Sequence, residues 1–293
     1  MTENPISASV AKATTDPSLP LVSVVTPSLN QVAFIEQAIT SVLDQDYPNL
    51  EYIVIDGGST DGSVDIIRKF ADRLHYWVSE PDSGHADAIN KGFAKSSGGI
   101  IAWLNSDDVY LPGAISSAVK AFQKHGNADL IYGDVYVIDE DGNPLGERRL
   151  TTMDRYDFLG SGDCLAQPAT FWTRRIYDQV GGIDTGYYFQ LDLDFYIKVT
   201  DAGKIKHVRD YFAKIRMQPE GKMTKADEVR KSDLVLLRQR YIHERGLGRL
   251  RYSKRFLLPR MFLRYALQGD ILYAGRKARQ RILDRDLFKE SRS

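Results

Sequence analysis

The sequence predicts an α/β fold in which a mostly parallel, mixed sheet carries helices on both faces. Short apolar runs rich in β-branched residues alternate four times with segments of helical periodicity, and the connections between them are short. The runs are apolar at consecutive positions, as expected for strands that are covered on both faces. Polar loops follow three of the runs, at the sheet edge where such folds bind their ligands.

The first predicted strand covers residues 21–26 and ends at Pro27, and an apolar stripe over 34–43 predicts the helix that follows. Three more buried strands are predicted at 50–55, 75–78 and 100–104. Helices are predicted after these strands, first through Val64, Ile67 and Phe70, then over 84–95, and then through Ala118, Val119 and Phe122.

Beyond Leu130 the pattern changes to a hairpin and further helices. Residues 130–138 are predicted as a strand and 139–143 as a hairpin turn. Another strand at 169–172 precedes a helix that Thr173 caps and that Gly181 and Gly182 end. This helix covers 174–180, and further helices are predicted at 191–202 before Gly203 and from about 222 onward, with a break at 246–248.

The composition fits one large domain with an appendage. Of the 293 residues, 43% are hydrophobic, which is enough for a substantial core. The formal net charge is zero, and this balance argues against wholesale nucleic-acid binding. Cys164 is the only cysteine, which excludes an intramolecular disulfide and is more typical of core packing than of a nucleophile. Residues 1–19 lack the apolar core of a signal peptide and are predicted to be a disordered tail. No apolar run has the length of about 18 residues that would predict a transmembrane helix.

A Rossmann-like sheet suggests nucleotide binding, yet the usual phosphate-binding loops are absent. Residues 27–31 read Pro-Ser-Leu-Asn-Gln, where a Gly-x-Gly-x-x-Gly would be required. Asp107 and Asp108, which follow a buried strand, suit a hard divalent cation instead. Such a cation would bridge diphosphate oxygens and carry the charge of the leaving group. The alternative is an exposed acidic turn, which the position at the functional edge disfavours.

The chain resembles glycosyltransferase family 2, whose members have the GT-A fold, from about Leu21 to Arg216. Each matching piece is weakly specific alone, but all seven in the usual order are highly specific. The resemblance implies inverting transfer from a nucleoside-diphosphate sugar with Mg²⁺ or Mn²⁺. The matching pieces are 24–30, 54–63, 80–84 with 87–92, 103–108, 167–171, 181–184 and 192–196.

The resemblance also implies roles for single residues. Asp56 would hydrogen-bond a uracil-like base, and uridine and thymidine both offer it the same imide edge. Asp108 is the firmer metal ligand, while Asp107 is a metal ligand that lies nearer the ribose and the donor sugar. Asn105 replaces a frequent acid and is expected to tune the site. The predicted nucleotide-sugar-binding residues are Pro27, Asn30, Asp56, Gly84, Asp87, Asn90 and Asp107.

Asp192 is predicted to be the catalytic base. Inverting transfer needs one carboxylate that takes the proton of the acceptor hydroxyl. The alternative is an acid placed at a helix N-terminus by the helix dipole. Asp194, two residues later on the same predicted helix, points elsewhere and is expected to be structural or to support the site through another residue.

Three further residues are weaker candidates for contacts with the acceptor or the sugar. His85 lies before the third helix, Gln167 belongs to a matching piece, and Arg216 is a candidate for contact with the diphosphate. In many relatives a histidine follows the last strand of the catalytic domain. Gln218 takes that place here, so a third protein ligand for the metal is not assured.

The end of the chain is basic and apolar at once. Between Arg245 and Leu283 there are eleven Lys or Arg and one acid, Asp270, interleaved with aliphatic and aromatic residues. A basic amphipathic stretch of this kind is able to lie on an anionic membrane. The alternative is a helix packed on the catalytic domain with a solvated basic face. Both interpretations stay open at this point.

These inferences divide the chain into the disordered tail (1–19), a GT-A catalytic domain (20–220) and a C-terminal basic amphipathic helical region (221–293). We expect a hexosyltransferase that moves a sugar from a UDP- or dTDP-sugar to a glycan or lipid-linked acceptor, in the synthesis of a bacterial surface polysaccharide. The expected location is the cytoplasm, or the inner face of the cell membrane with peripheral membrane contact, and nucleic acid is not an expected partner.

Two alternatives remain beside this reading. A nucleotidyltransferase also joins such a sheet to acidic metal ligands, but it usually has a Gly-rich, Arg/Lys-bearing loop after the first strand, which is absent here. A nucleotide-sugar-binding scaffold without transfer activity is the non-enzymatic alternative. A processive synthase is disfavoured because no membrane span and no Gln-x-x-Arg-Trp is present.

Overall fold

The computed structural model describes residues 16, 18–161, 164–218, 227–243 and 254–276. The predicted tail (1–19) and the predicted break at 246–248 lie wholly or mostly outside the described residues. The described strands, in chain order, are β1 (Val22–Ser28), β2 (Leu50–Asp56), β3 (Tyr76–Ser79), β4 (Ile100–Trp103), β5 (Val109–Tyr110), β6 (Leu130–Ile138), β7 (Pro144–Arg148), β8 (Thr170–Thr173) and β9 (Ile205–Arg216).

All nine described strands join one sheet in the order β3-β2-β1-β4-β8-β6-β9-β5, and β7 pairs with β6. The first four strands are parallel, and β6 is parallel to β9. The pairs β4–β8, β6–β8, β6–β7 and β5–β9 are antiparallel. The structure therefore confirms the mixed, mostly parallel sheet, and it gathers the carboxyl ends of β1, β2 and β4 at one edge.

Helices flank the sheet as predicted, and most bounds agree within one or two residues. The helix predicted at 191–202 is found over those residues, and Thr173 caps the helix before it by accepting a hydrogen bond from the N–H of Ile176. The described α-helices are α1 (Ile35–Leu43), α2 (Ser63–Lys69), α3 (His85–Ala94), α4 (Ala114–Lys124), α5 (Arg155–Ser161), α6 (Arg174–Val180), α7 (Leu191–Ala202), α8 (Asp227–Arg238) and α9 (Lys254–Leu267).

The prediction that Pro27 ends the first strand was wrong. β1 continues to Ser28, and Pro27 lies opposite Ile55 of β2. A proline lacks the N–H group that a central strand needs on both sides. Here β4 pairs with β1 only over Val22–Val25, so one side of Pro27 requires no ladder hydrogen bond and the strand is able to continue.

The core lies on both faces of the sheet. Trp77, Trp103 and Trp172 are at most 1% exposed, and the rings of Trp103 and Trp172 meet edge to face with centroids 5.4 Å apart. Such pairs contribute about 0.5–1.5 kcal/mol beyond the area they bury. Trp103 ends β4, so this packing fixes the position at which the acidic loop leaves the sheet.

Helix α9 of the C-terminal region packs on the rest of the chain. On α9, Leu257, Met261 and Tyr265 are buried, and Arg264 pairs with Asp157 of α5. Of the two interpretations of the C-terminal region, packing on the catalytic domain is therefore observed for this helix. No helix in the described ranges combines the length and the apolar character needed to cross a membrane.

Candidate active site

The acid pair Asp107–Asp108 lies in the loop between β4 and β5, at the carboxyl end of β4. Because β5 pairs with the second half of β9, the end of β9 closes over this loop. The backbone N–H of Arg216 donates to Asp108 Oδ1 (3.0 Å), and Gln218 Nε2 donates to Asp107 Oδ2 (2.8 Å). The last strand of the sheet therefore holds the acid pair in place.

Burial makes the two charges of this pair costly. Asp108 is 4% exposed. Desolvation raises the pKa of Asp107, and desolvation together with the charge of Asp107 raises the pKa of Asp108 well above its ordinary value. Asn105 Nδ2 lies 3.4 Å from Asp108 Oδ2, which is a long hydrogen bond. A cation beside the pair would offset this repulsion.

Two amide oxygens beside the end of β4, Asn105 Oδ1 and Gln167 Oε1, are buried and have no hydrogen-bond partner among the described residues. Gln167 Nε2 donates to the carbonyl of Trp103 (2.7 Å), which fixes this side chain against the strand end. Across the described ranges, no group of three or more His, Cys, Asp or Glu is placed to hold a metal ion. The two carboxylates are nevertheless oxygen donors of the kind Mg²⁺ and Mn²⁺ prefer, and the same loop carries the unpartnered amide oxygen of Asn105, so the residues fit such an ion.

The guanidinium of Arg216 contacts the protein itself. Its Nε donates to the carbonyl of Asp107 (3.0 Å), and its Nη1 donates to two carbonyls of the β6–β7 hairpin turn (3.0 and 2.8 Å). Nη2 donates to Gln37 Oε1, and the group lies over the ring of Phe34, 4.8 Å from its centre. Arg216 therefore clamps the acidic loop, and its contact with a diphosphate stays a prediction.

Asp192 lies in the first turn of α7 and is half-buried. Cys164 Sγ donates to Asp192 Oδ2 (3.2 Å), and the N–H of Leu193 donates to Oδ1 (2.7 Å). Burial raises the pKa of Asp192, and the Cys164 thiol lowers it in part. A carboxylate whose pKa is raised towards neutrality is a stronger base than an exposed one.

A short segment connects Asp192 with the acidic loop. Cys164 contacts Asp192, and Gln167, three residues later, contacts the carbonyl of Trp103 at the end of β4. Three residues span at most about 11 Å when fully extended. The predicted base and the acidic loop are therefore held by the two ends of one short segment.

Asp194 has the structural role predicted for it. Its carboxylate has no exposed surface and lies 2.6 Å from Lys198 Nζ. It also accepts a hydrogen bond from Tyr241 Oη (2.7 Å). Tyr241 lies in the π-helical turn Gln239–His243 after α8, so Asp194 ties the C-terminal region to α7.

Asp56 ends β2 and also has no exposed surface. Its Oδ2 accepts from the N–H groups of Gly58 (3.1 Å) and Ser59 (2.9 Å) and from Ser79 Oγ (2.7 Å). Its Oδ1 accepts from Ser59 Oγ (2.5 Å). Asp56 thus organises the loop that follows it, and a hydrogen bond from this carboxylate to a base stays a prediction.

Pro27 and Asn30 lie beside the same loop. Pro27 is buried at the end of β1. Asn30 is exposed and has a φ of 52°, in the left-handed region that asparagine tolerates better than most residues. Its Oδ1 accepts from the N–H of Thr60 (2.9 Å), and its own N–H donates to Ser59 Oγ (2.7 Å). These contacts join the β1 and β2 loops into one surface.

The start of α3 carries three of the predicted residues. Gly84 precedes the helix with a φ of 114°, which favours glycine, and it is exposed. His85 is the first helical residue and is half-buried. Asp87 Oδ2 accepts from the N–H of Ser83 (3.0 Å) and lies 3.4 Å from Lys91 Nζ. The Ser83 N–H lowers the pKa of Asp87, so this carboxylate is ionised at neutral pH.

Asn90 lies one turn further along α3 and contacts the loop after α6. Its Nδ2 donates to the carbonyl of Ile183 (2.8 Å). Its Oδ1 accepts from Tyr177 Oη (2.7 Å) and from the N–H of Ile183 (3.2 Å). These bonds hold α3 against the neighbouring element, and a contact between Asn90 and a nucleotide sugar stays a prediction.

Sequence reasoning missed two side chains that support the predicted base. Cys164 donates to Asp192 across 28 residues, and Arg148 donates to the carbonyl of Cys164. The only local signal for Cys164 was its place three residues before Gln167 in a matching segment. Both contacts join segments that are distant in sequence, and no periodicity marks them.

Carboxylates gathered at the carboxyl ends of a mostly parallel sheet define an α/β domain with a ligand site at that edge. The family model described as glycosyl transferase family 2 matches residues 23–181 of this chain. The chain therefore belongs to glycosyl transferase family 2, and it is a glycosyltransferase.

Sequence relatives agree with this assignment. An uncharacterised glycosyltransferase of Mycobacterium tuberculosis is 31% identical over 192 residues, which cover 62% of this chain and 69% of the relative. The Bacillus subtilis protein TuaG, whose name assigns it to teichuronic acid biosynthesis, is 36% identical over 129 residues, which cover 43% of this chain and 51% of TuaG.

Solved structures share the fold. S. aureus TarS in complex with UDP-GlcNAc aligns with a TM-score of 0.58 at 17% identity, covering 70% of this chain and 61% of the TarS chain. The mannosyltransferase PcManGT of Pyrobaculum calidifontis, in complex with GDP-Man and Mn²⁺, aligns with a TM-score of 0.59 at 18% identity, covering 88% of this chain and 73% of that one. At these identities the likeness concerns the fold alone.

Proposed function

We propose that this glycosyltransferase moves a sugar from a nucleoside-diphosphate sugar to a hydroxyl of a glycan or lipid-linked acceptor, with inversion at the anomeric carbon. The observation that carries the proposal is the acid pair of the half-buried Asp107 and the buried Asp108, which is connected through the segment from Gln167 to Cys164 with the half-buried carboxylate of Asp192. The acid pair suits the side of a reaction centre that holds the diphosphate, and Asp192 suits the side that holds the acceptor.

Asp192 acts as the base in this reaction. Its carboxylate takes the proton of the acceptor hydroxyl while the acceptor oxygen forms a bond to the anomeric carbon. The bond between that carbon and the diphosphate oxygen breaks, and its electron pair leaves with the diphosphate. Because the acceptor attacks from the face opposite the leaving group, the configuration inverts. The raised pKa of Asp192 improves proton transfer near neutral pH.

Asp107 and Asp108 would hold Mg²⁺ or Mn²⁺, with Asn105 Oδ1 as a further oxygen donor. The ion, when bound, neutralises the charge that develops on the departing diphosphate. Arg216 keeps the acidic loop in position through its backbone N–H and its guanidinium. Gln218 fixes the outer carboxylate, Asp107, by a neutral hydrogen bond that leaves the negative charge of the pair intact.

The donor is proposed to be a UDP- or dTDP-sugar. Asp56 would receive the imide N–H of the base, and the joined loops around Asn30 would cover it. Gly84, Asp87 and Asn90 on the neighbouring helix would flank the base and the sugar, and His85, Gln167 and Arg216 remain weaker candidates for contacts. TarS with UDP-GlcNAc and PcManGT with GDP-Man show that proteins of this fold take donors with different bases.

The acceptor is proposed to belong to a bacterial surface polysaccharide, which the similarity to TuaG supports. A lipid-linked acceptor would place the enzyme at the inner face of the cell membrane, with peripheral contact through the C-terminal region. The basic and apolar residues of that region support this contact.

The test is sugar transfer and donor hydrolysis by wild type, Asp192→Asn and Asp108→Asn, with UDP-, dTDP- and GDP-sugars, in the presence of Mn²⁺ or a chelator. We expect Asp192→Asn to lower kcat by about 10²–10⁴-fold with donor binding retained. Asp108→Asn should weaken donor binding and remove its dependence on Mn²⁺. Asp178→Asn, a charge-matched change at an exposed position on α6, should stay within about twofold of wild type, like most surface substitutions.

The competing functions predict different results. A binding scaffold would bind the donor and show equal, zero turnover for wild type and Asp192→Asn. A nucleotidyltransferase would release pyrophosphate from a nucleoside triphosphate and a sugar phosphate. Full, chelator-insensitive transfer by Asp108→Asn would contradict the proposed role of the acid pair.

A further inference from the structure

Helix α9 has apolar residues on its outer face as well as on its inner face. Leu257, Met261 and Tyr265 face inward and are buried. A surface helix normally turns polar residues to the solvent. On α9 and on the helical segment that begins at Ile271, the outward positions include an apolar ridge, which consists of Phe262 (45% exposed), Leu263 (58%), Leu267 (80%), Ile271 (56%) and Leu272 (81%).

A basic hollow of about 440 Å³ lies between α4 and the first half of β9. Its lining includes the cationic side chains of Lys120, Lys124 and Arg209, the ring of His125, and one acid, Asp210. Both lysines and Arg209 are exposed. Positive charge therefore exceeds negative charge in the lining of this hollow.

The hollow and the ridge adjoin each other. Arg209 Nη1 donates to the carbonyl of Gln268 (2.7 Å), and Nη2 lies 3.4 Å from Asp270. Gln268 and Asp270 lie between the ridge residues Leu267 and Ile271 in the chain. The catalytic domain and the C-terminal helix thus contribute to one continuous surface that is apolar on one side and basic on the other.

This surface is separate from the candidate active site. Asp210 of the hollow lies six residues before Arg216 along β9, which corresponds to about 20 Å at the rise of an extended strand. The hollow is therefore at the opposite part of β9 from the acid pair, and a group bound there would leave the active site open.

We propose that the apolar ridge and the basic hollow together dock on an anionic lipid bilayer, with the ridge inserted at the boundary of headgroups and acyl chains and the hollow binding a phosphate-bearing headgroup. The excess of positive charge on this surface favours an anionic bilayer as its partner. A second copy of the chain would bring two sets of cations together, which opposes a symmetric contact. The inference rests on the membrane contact proposed above and is independent of the transfer reaction.

The test is co-sedimentation of the full chain with vesicles of phosphatidylcholine alone or of phosphatidylcholine mixed with phosphatidylglycerol. We expect binding to the anionic vesicles, weaker binding to the neutral ones, and a loss of binding as salt is raised. Leu263→Glu with Leu267→Glu should abolish binding, because two charges would enter the apolar layer. Lys120→Gln with Lys124→Gln should weaken it by about twenty-fivefold, since each lysine near an anionic surface contributes roughly fivefold.

Two controls place changes of the same type outside the ridge and the hollow. Leu145→Glu changes a leucine of β7 that is 61% exposed but lies outside the ridge. Lys69→Gln with Lys95→Gln removes the same charge as the hollow variant from exposed positions on and after the helices α2 and α3. Both controls should bind anionic vesicles within about twofold of wild type, as expected for changes away from the contact.

Donor hydrolysis without vesicles separates the two proposals, because ridge and hollow variants should hydrolyse the donor like wild type. Equal vesicle binding by wild type and the ridge variant would overturn the inference. If the ridge variant lost binding while the hollow variant bound like wild type, the headgroup role of the hollow would be overturned. A wild-type dimer that the ridge variant converts to a monomer, with no vesicle binding by either, would assign the ridge to a second copy and also overturn the inference.

Discussion

At the scale of single residues, the contact between Cys164 and Asp192 is the detail with the most direct chemical consequence. Burial and the neighbouring carboxylate raise the pKa of the Cys164 thiol well above its ordinary value. The thiol therefore stays protonated and donates to Asp192. This hydrogen bond orients one carboxylate oxygen and lowers the pKa that burial has raised.

This contact predicts how pH limits the reaction. The base works in its ionised form, so activity falls as pH drops through the pKa of Asp192, which lies above the ordinary value of an aspartate. Cys164→Ala removes a donor that favours the ionised form, so the acid limb of kcat/KM should move to higher pH. Cys164→Ser keeps a donor and should leave the limb near its wild-type position or below it.

The measurement is kcat/KM against pH for wild type and both variants, with the thermal midpoint as a check on folding. A purely structural role of Cys164 would lower the thermal midpoint without moving the acid limb. Identical acid limbs in wild type and Cys164→Ala would contradict the orienting hydrogen bond.

At the scale of elements, helix α3 shows how a packing contact supports the ligand edge. Gly92 faces β1 so closely that an added Cβ would overlap Val25 Cγ1. The helix begins beside Gly84 and carries Asp87 and Asn90, so its distance from the sheet sets the position of these predicted donor contacts. A glycine is required here by close approach rather than by its backbone angles.

We therefore expect Gly92→Ala to destabilise the protein by about 1–3 kcal/mol, as overpacking in a filled core does. Urea unfolding monitored by tryptophan fluorescence measures this change. Gly99→Ala is the matched control, because a Cβ there meets no atom within 4 Å, and its effect should stay within about 0.5 kcal/mol. Equal stability of wild type and Gly92→Ala would show that α3 is able to shift away from β1.

At the scale of the whole molecule, two arginines hold α9 against the catalytic domain in different ways. Arg264 is 18% exposed, pairs with the completely buried Asp157, and donates to the carbonyl of Thr152 (2.6 Å). Arg260 is 42% exposed and pairs with Asp154, which also contacts Arg264. Substitutions at these two positions therefore test a buried ion pair and a surface ion pair of the same helix separately.

We expect Arg264→Leu to cost about 3–5 kcal/mol, because it removes the cation that offsets the charge of the buried Asp157 carboxylate. Arg260→Leu should cost at most about 1 kcal/mol. Hydrogen exchange over Lys254–Leu267 should rise sharply in the first variant and little in the second. Similar exchange in both would mean that the inward residues Leu257 and Met261, not the ion pair, hold the helix.

Local patterns in the sequence were sufficient for much of this molecule. Consecutive apolar residues identified the strands β1 to β4, and a 3.6-residue period identified most of the helices but not α5 (Arg155–Ser161). Each pattern depends only on neighbouring residues. The cap at Thr173 and the helix over Leu191–Ala202 follow from the same local chemistry. The acid pair at the end of β4 was also visible, since a polar loop after a buried strand has a predictable place in a parallel sheet.

Only the tertiary structure decided how the predicted residues are supported. The N–H of Arg216 meets Asp108 across 108 residues, Gln167 meets the carbonyl of Trp103 across 64, and Cys164 meets Asp192 across 28. β1 also passes through Pro27, because β4 stops short of it. Such contacts depend on which segments the folded sheet brings side by side, and no periodicity of 2 or 3.6 residues encodes that choice.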